Sequence, residues 1–269
     1  MVSDEVDDDH PVDGIADDAT GDRTHRVQLG GNFKIEEIQI GTGAWQTLGT
    51  KIPVPAEKTV DVTTVILRDK LQATGGTEVI SQTVVTDFWR IAKERYAQCG
   101  VRLNVTHAGV KDPPTVVDLS PPGLNVTDSS SADLLAGNGI VSQEAKDLIT
   151  ALGTGASNAD IHVFYVNTLT VAGGAVGGVA IADFAFAASE DSFTYNVVLS
   201  DPTLSPWGGY AAAHELGHLL TNGGHEDASG VFPLWHLMQP NVLDTNGISG
   251  SRRLKQSDAT KILSNSHAH

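Results

Sequence analysis

Residues 211–220 read Ala-Ala-Ala-His-Glu-Leu-Gly-His-Leu-Leu, and the rest of the chain is read outward from this stretch. His214 and His218 stand four residues apart, so on an α-helix they share one face, one turn apart. Two imidazoles placed in this way can hold one Zn²⁺ at about 2.0–2.1 Å from a rigid backbone. Glu215, beside the first histidine, is placed to act on a water at the metal rather than on the metal itself. Asn222-Gly223-Gly224 then offers the left-handed φ values needed to leave a helix sharply, and His225 follows at once. Three protein ligands with one open position make a catalytic zinc site, whereas structural sites are closed by four. The reading takes His214, His218 and His225 as metal ligands and Glu215 as the catalytic group. His236, Asp227 and Glu226 are the alternatives for the third position.

Outward from this helix the periodicities alternate. The β-branched run at residues 60–67 predicts a strand. Ile80, Val84, Phe88, Ile91 and Ala92 recur at helical spacing and predict a long amphipathic helix over 77–98, stopped by Gly100. Val101, Leu103 and Val105 predict a second strand. Residues 111–141, with two Pro-Pro pairs and a Ser-Ser-Ser run, read as a long loop with some local structure. Ser142 caps a short helix to residue 152. Strands follow at 161–169, at 179–182 as an edge strand beside a cleft, and at 195–199. Pro206 precedes the histidine-bearing helix, and residues 254–264 form a terminal helix before a tail carrying His267 and His269.

Ahead of this core, residues 26–54 alternate in short runs and suggest a small β-rich element ended by Pro53 and Pro55. The expected division is therefore an acidic segment at 1–22, a β-rich element at 23–57 and a main domain at 58–269. Residues 1–22 hold nine acidic side chains and no Lys or Arg. Like-charge repulsion makes them a solvated tail, or a pro-segment that covers the site before removal.

The 269 residues carry a formal charge of −16, which argues against nucleic acid or an anionic membrane surface as a partner. It leaves room for Ca²⁺ sites. No apolar run approaches the length of a membrane span. Cys99 is the only cysteine, so no intrachain disulfide forms. Its place at the end of a long helix predicts a buried, inert thiol. His107 and His162 fall in predicted strands and read as structural. The glycine pairs at 173–174 and 177–178 lack the lysine and following helix of a phosphate loop, and read as a cleft rim.

The order of strand, long helix, further strands, histidine-bearing helix, irregular segment and last helix resembles the metzincin clan of zinc metallopeptidases, over roughly residues 58–266. That clan carries H-E-x-x-H-x-x-G-x-x-H and a later methionine turn beneath the metal. Leu237-Met238-Gln239-Pro240 looks like that turn and is closest to the matrixin subgroup. One departure stands out: Thr221 occupies the clan's glycine position, and His225 comes one residue later than the clan's third histidine.

The resemblance implies an α+β, metzincin-like catalytic domain, with a twisted mixed sheet backed by a long helix. It implies a monomeric, secreted or extracellular zinc endopeptidase acting on peptide or protein substrates, with Glu215 as general base. It also implies a specificity wall at residues 241–243. The alternative is a latent or non-catalytic zinc- or calcium-binding protein of the same fold.

Overall fold

The computed structural model describes backbone strands at 34–38 and 46–53, and residues 58–97, 99–117, 119, 123–153, 161–200, 208–224, 237–238, 254 and 256–269. Two strands come first, β1 (Lys34–Ile38) and β2 (Gln46–Pro53). They are followed by β3 (Lys58–Leu67), α1 (Gln82–Ala97), β4 (Val101–Lys111), β5 (Leu124–Thr127), α2 (Ser131–Leu135) and α3 (Gln143–Leu152). Next come β6 (Ile161–Val166), β7 (Leu169–Val171), β8 (Gly174–Ala175), β9 (Gly178–Ile181), β10 (Asn196–Ser200), α4 (Gly208–Thr221) and α5 (Gln256–Ser264). Residues 1–22 lie outside the described residues.

The fold is mixed α/β. β3, β4, β6 and β10 run parallel and β9 runs antiparallel, in the order β4-β3-β6-β10-β9. A parallel sheet needs crossovers and buries both faces, and the strands show this directly. Along β6 every residue is buried. Val60, Val62, Ile161, Val163, Val197 and Leu199 face a core shared with α1, α4 and α5. Val65, Leu67, Phe164, Val166 and Val198 face a second core with α3, β5 and β7. A three-stranded sheet, β5-β7-β8, lines that second core, and β1 and β2 pair antiparallel in a sheet of their own.

Most predicted elements recur, and the differences have local causes. α1 begins at Gln82 because residues 77–79 are taken by the end of β3. Asp69 and Val79 N–H groups donate to Thr77 and Leu67 carbonyls, and Arg68 bridges Glu78. Ile80 still enters the core, from the bend that precedes the helix. The helix stops where expected, with Gly100 at φ 74°. Residues 161–169 divide into β6 and β7, which belong to different sheets. The stretch 111–141 contains β5 and α2; Ser130 and Asp133 close a capping box on α2. Ser142 caps α3 as predicted, its side chain accepting from Ala145 N–H.

Residues 267–269 are not a loose tail. Thr59 and His269 exchange two backbone hydrogen bonds of 2.7 and 3.0 Å, and Ala268 is buried.

Candidate metal centre

α4 carries the two histidines into the interior between α1, the sheet and residues 237–238. His214 and His218 are 3% and 7% exposed, so their ring nitrogens must find partners inside the protein. His214 Nδ1 lies 2.7 Å from Leu237 O, and His218 Nδ1 lies 2.8 Å from Gly223 O. A carbonyl only accepts, so each Nδ1 carries the hydrogen and each Nε2 keeps a lone pair. The two Nε2 atoms then face each other at 3.1 Å, with the rings at 88°.

Two such lone pairs repel unless a shared proton or a metal cation lies between them. The 3.1 Å separation is the chord of two ~2.0–2.1 Å bonds meeting at about 98°, near the tetrahedral value of a zinc site. Backbone carbonyls behind metal-binding imidazoles are the usual means of fixing tautomer and ring orientation. The donor set therefore fits Zn²⁺.

Glu215 projects from α4 toward the sheet edge. Its carboxyl accepts from Ala180 N–H on β9, and burial pushes its pKa up to about 8, against the pull of that bond. The contact is close enough to specify a glycine opposite: a Cβ on Gly178 would stand 2.8 Å from both Glu215 Cγ and Oε1. Strand alternation explains the geometry. Ser200 donates to Gly177, so residues 177, 179 and 181 pair with β10. The N–H and C=O of Gly178 and Ala180 face the free edge.

Below the histidines, Met238 is 2% exposed and packs on Gly217, where any Cβ would collide with its sulfur. Tyr96 Oη, from α1, donates to Ala213 O at 2.9 Å. At the far end of α4 the left-handed residue is Asn222, with φ 44°, and neither Gly223 nor Gly224 takes positive φ. Thr221 remains helical, its hydroxyl donating to Gly217 O. Asn222 Oδ1 accepts from Phe184 N–H at 3.1 Å, and the Phe184 ring centroid lies 5.9 Å from that of His218.

The structure thus brings His214, His218, Glu215 and Met238 into one region. His225, His236, Asp227, Glu226 and residues 241–243 lie outside the described residues. Among the described residues no group of three or more His, Cys, Asp or Glu side chains gathers in metal-binding geometry. Cys99 is buried, its thiol pushed up to about 12 by burial and by Asp258. His107 Nδ1 lies 2.7 Å from Thr64 Oγ1 on the neighbouring strand, and His162 stacks on Phe164. No described helix is long and apolar enough to cross a membrane.

Sequence reasoning passed over Gly217 and Tyr96, took Asn222 only as part of a three-residue helix exit, and took Gly178 only as part of a cleft rim and edge strand. Gly217 had a local signal, a glycine inside a helix, which costs about 1 kcal/mol against Ala and needs a packing reason. A comparison with protein-family models finds no match, and none is found among curated proteins.

Proposed function

We propose that this chain is a zinc-dependent endopeptidase with a metzincin-like catalytic domain, in which His214, His218 and His225 hold one Zn²⁺. The observation that carries the reading is the pair of Nε2 atoms at 3.1 Å, each turned inward by a backbone carbonyl on its Nδ1, with Glu215 alongside. The exit from α4 supports His225 as third ligand. The clan's pattern places its glycine three residues before the last histidine. Here the left-handed Asn222 stands three residues before His225, and the extra residue is absorbed as Thr221 in the helix. Leu237-Met238 lies under the site helix as a methionine turn would.

Zinc, when bound, supplies the Lewis acidity that activates water and polarises a peptide carbonyl. Glu215 takes the proton of the attacking water on a carboxylate oxygen and later delivers it to the leaving amine nitrogen. The outward N–H of Gly178 and the outward C=O groups of Gly178 and Ala180 on β9 receive an extended substrate by strand addition. Ala180 N–H is taken by the Glu215 carboxyl. Ca²⁺ remains a second metal that the acidic surface could bind.

The test is cleavage of a diverse peptide pool by wild type and Glu215→Ala, each assayed for zinc. The proposal expects about one zinc in both proteins and cutting by wild type only. Wild type without zinc would remove the reading, and zinc without cutting would turn it into a latent or binding role.

A further inference from the structure

We propose that Asn265 is a positioning residue of the metal centre, fixing the last turn of α4 and with it the aim of His218 and the start of the path to His225. The inference rests on the metal site proposed above.

The last four carbonyls of any helix lack intrahelical partners. In α4 two of them, Leu219 O and Leu220 O, accept from Asn265 Nδ2 at 3.2 and 3.0 Å. This is the turn that bears His218, whose Nδ1 partner, Gly223 O, lies just past the helix end. A rotation of this exit would therefore carry away the carbonyl that orients the ring.

Asn265 is itself anchored. Its N–H donates to Ile262 O, its Oδ1 accepts from His267 N–H at 2.9 Å, and its carbonyl accepts from Ala268 N–H. Beyond it, Ala268 is buried and His269 is bonded to Thr59 on β3. A second route returns to the same histidine. The His267 ring stacks on Tyr195 at 3.7 Å, and Tyr195 holds the unusual φ of 62° for an aromatic residue. Tyr195 Oη donates to Asp183. The next residue, Phe184, gives its N–H to Asn222 and lays its ring near His218. Residues 265–269 thus grip the end of α4 directly and through the Phe184 loop.

The test uses the full chain as Asn265→Ala, with Ser264→Ala as control. The Ser264 hydroxyl donates to Lys261 O, inside α5. Zinc affinity is read by competition with a chromogenic chelator, and site geometry by the visible bands of the Co²⁺-substituted proteins. Loss of an outer partner predicts about 10-fold weaker zinc binding and altered cobalt bands for Asn265→Ala, and less than about 2-fold for Ser264→Ala. Unchanged affinity and bands in Asn265→Ala, with wild type binding zinc normally, would overturn the positioning role and leave the peptidase reading intact. Wild type that binds no zinc overturns both.

Should Asn265→Ala fail to fold, hydrogen exchange on the wild type decides. Coupling is reciprocal, so zinc should slow exchange of the His267, Ala268 and His269 amides. Exchange indifferent to zinc rejects the proposal.

Discussion

α1 and α4 pack against each other on one face of the same sheet, yet they are built on opposite plans. α1 buries a stripe of Val85, Phe88, Trp89, Ala92, Arg95 and Tyr96 and turns an exposed face, with the Arg90–Glu94 pair, to water. Its charged member, Arg95, donates to Tyr210 Oη of α4. Eleven of the fourteen residues of α4 are buried, among them three glycines and two histidines. Each interior glycine gives up about 1 kcal/mol of helix preference, and each imidazole needs a partner inside. A helix whose local choices run against its own stability is where function is expected to sit. α1 is a scaffold, and α4 is held in place by the scaffold.

The comparison breaks most visibly at Glu215. Glu215→Gln removes the proposed general base and is expected to lower kcat by about 10²–10⁴-fold while zinc content stays near that of wild type. Trp89→Leu in α1 should instead destabilise the fold by about 1–3 kcal/mol with little change in kcat per folded molecule. Steady-state kinetics, zinc assay and chemical denaturation on both variants make the check. A Glu215→Gln variant that cuts peptides as fast as wild type would abolish the distinction.

Gly217 sharpens the contrast by reversing a propensity rule. Alanine is the better helix former by about 1 kcal/mol, so Gly217→Ala would stabilise a helix like α1. In α4 the added methyl runs into Met238, and overpacking of this kind costs about 1–3 kcal/mol. We expect net destabilisation in urea, relieved in part by Met238→Ala. Stabilisation would show that Met238 is not pressed onto the helix.

How much was legible follows from the same contrast. The stripe of α1, the β-branched core of β3, the Ser142 cap and the edge position of β9 rest on local patterns that tertiary contacts reinforce. The histidine pair and Glu215 were legible because i,i+4 spacing fixes a shared helical face. Gly178 and Gly217 gave no comparable signal, since each is specified by a side chain distant in sequence, Glu215 or Met238. The left-handed residue was expected somewhere in Asn222-Gly223-Gly224. It fell on Asn222, the position from which a side-chain oxygen reaches Phe184 N–H. Docking of residues 267–269 depends on Thr59 and Tyr195, contacts that no local pattern announces.

The metal-free protein should also carry a pH signature from α4. Burial raises the Glu215 carboxyl to about 8, whereas an unfolded glutamate ionises near pH ~4.3. Between these values the folded state holds the extra proton, so stability falls as pH rises through the window and levels off above about 8. The slope cannot exceed about 1.4 kcal/mol per pH unit and is smaller where water reaches the group. Melting temperatures of apo wild type should therefore fall from pH 5 to 8 relative to apo Glu215→Gln. Bound zinc should flatten the difference, because a nearby cation favours the carboxylate. Parallel curves for the two apo proteins would mean that the carboxyl is not desolvated.

The smallest effect belongs to the scaffold. Cys99 follows the end of α1 as His218 leads into the exit of α4, and both are buried, but their surroundings differ in kind. The His218 ring meets a backbone carbonyl and a second imidazole. The Cys99 thiol meets apolar packing and the field of Asp258, which hold it near 12. The thiolate is the reactive form, so at pH 8 native Cys99 should resist iodoacetamide under conditions that fully label the urea-unfolded chain. Cys99→Ala should leave zinc content and kcat unchanged, with stability altered by about 1 kcal/mol or less, as for other small changes in a packed core. Rapid labelling of the native protein, or zinc that protects the thiol from it, would place Cys99 with the chemistry of α4 and end the division of roles between the two helices.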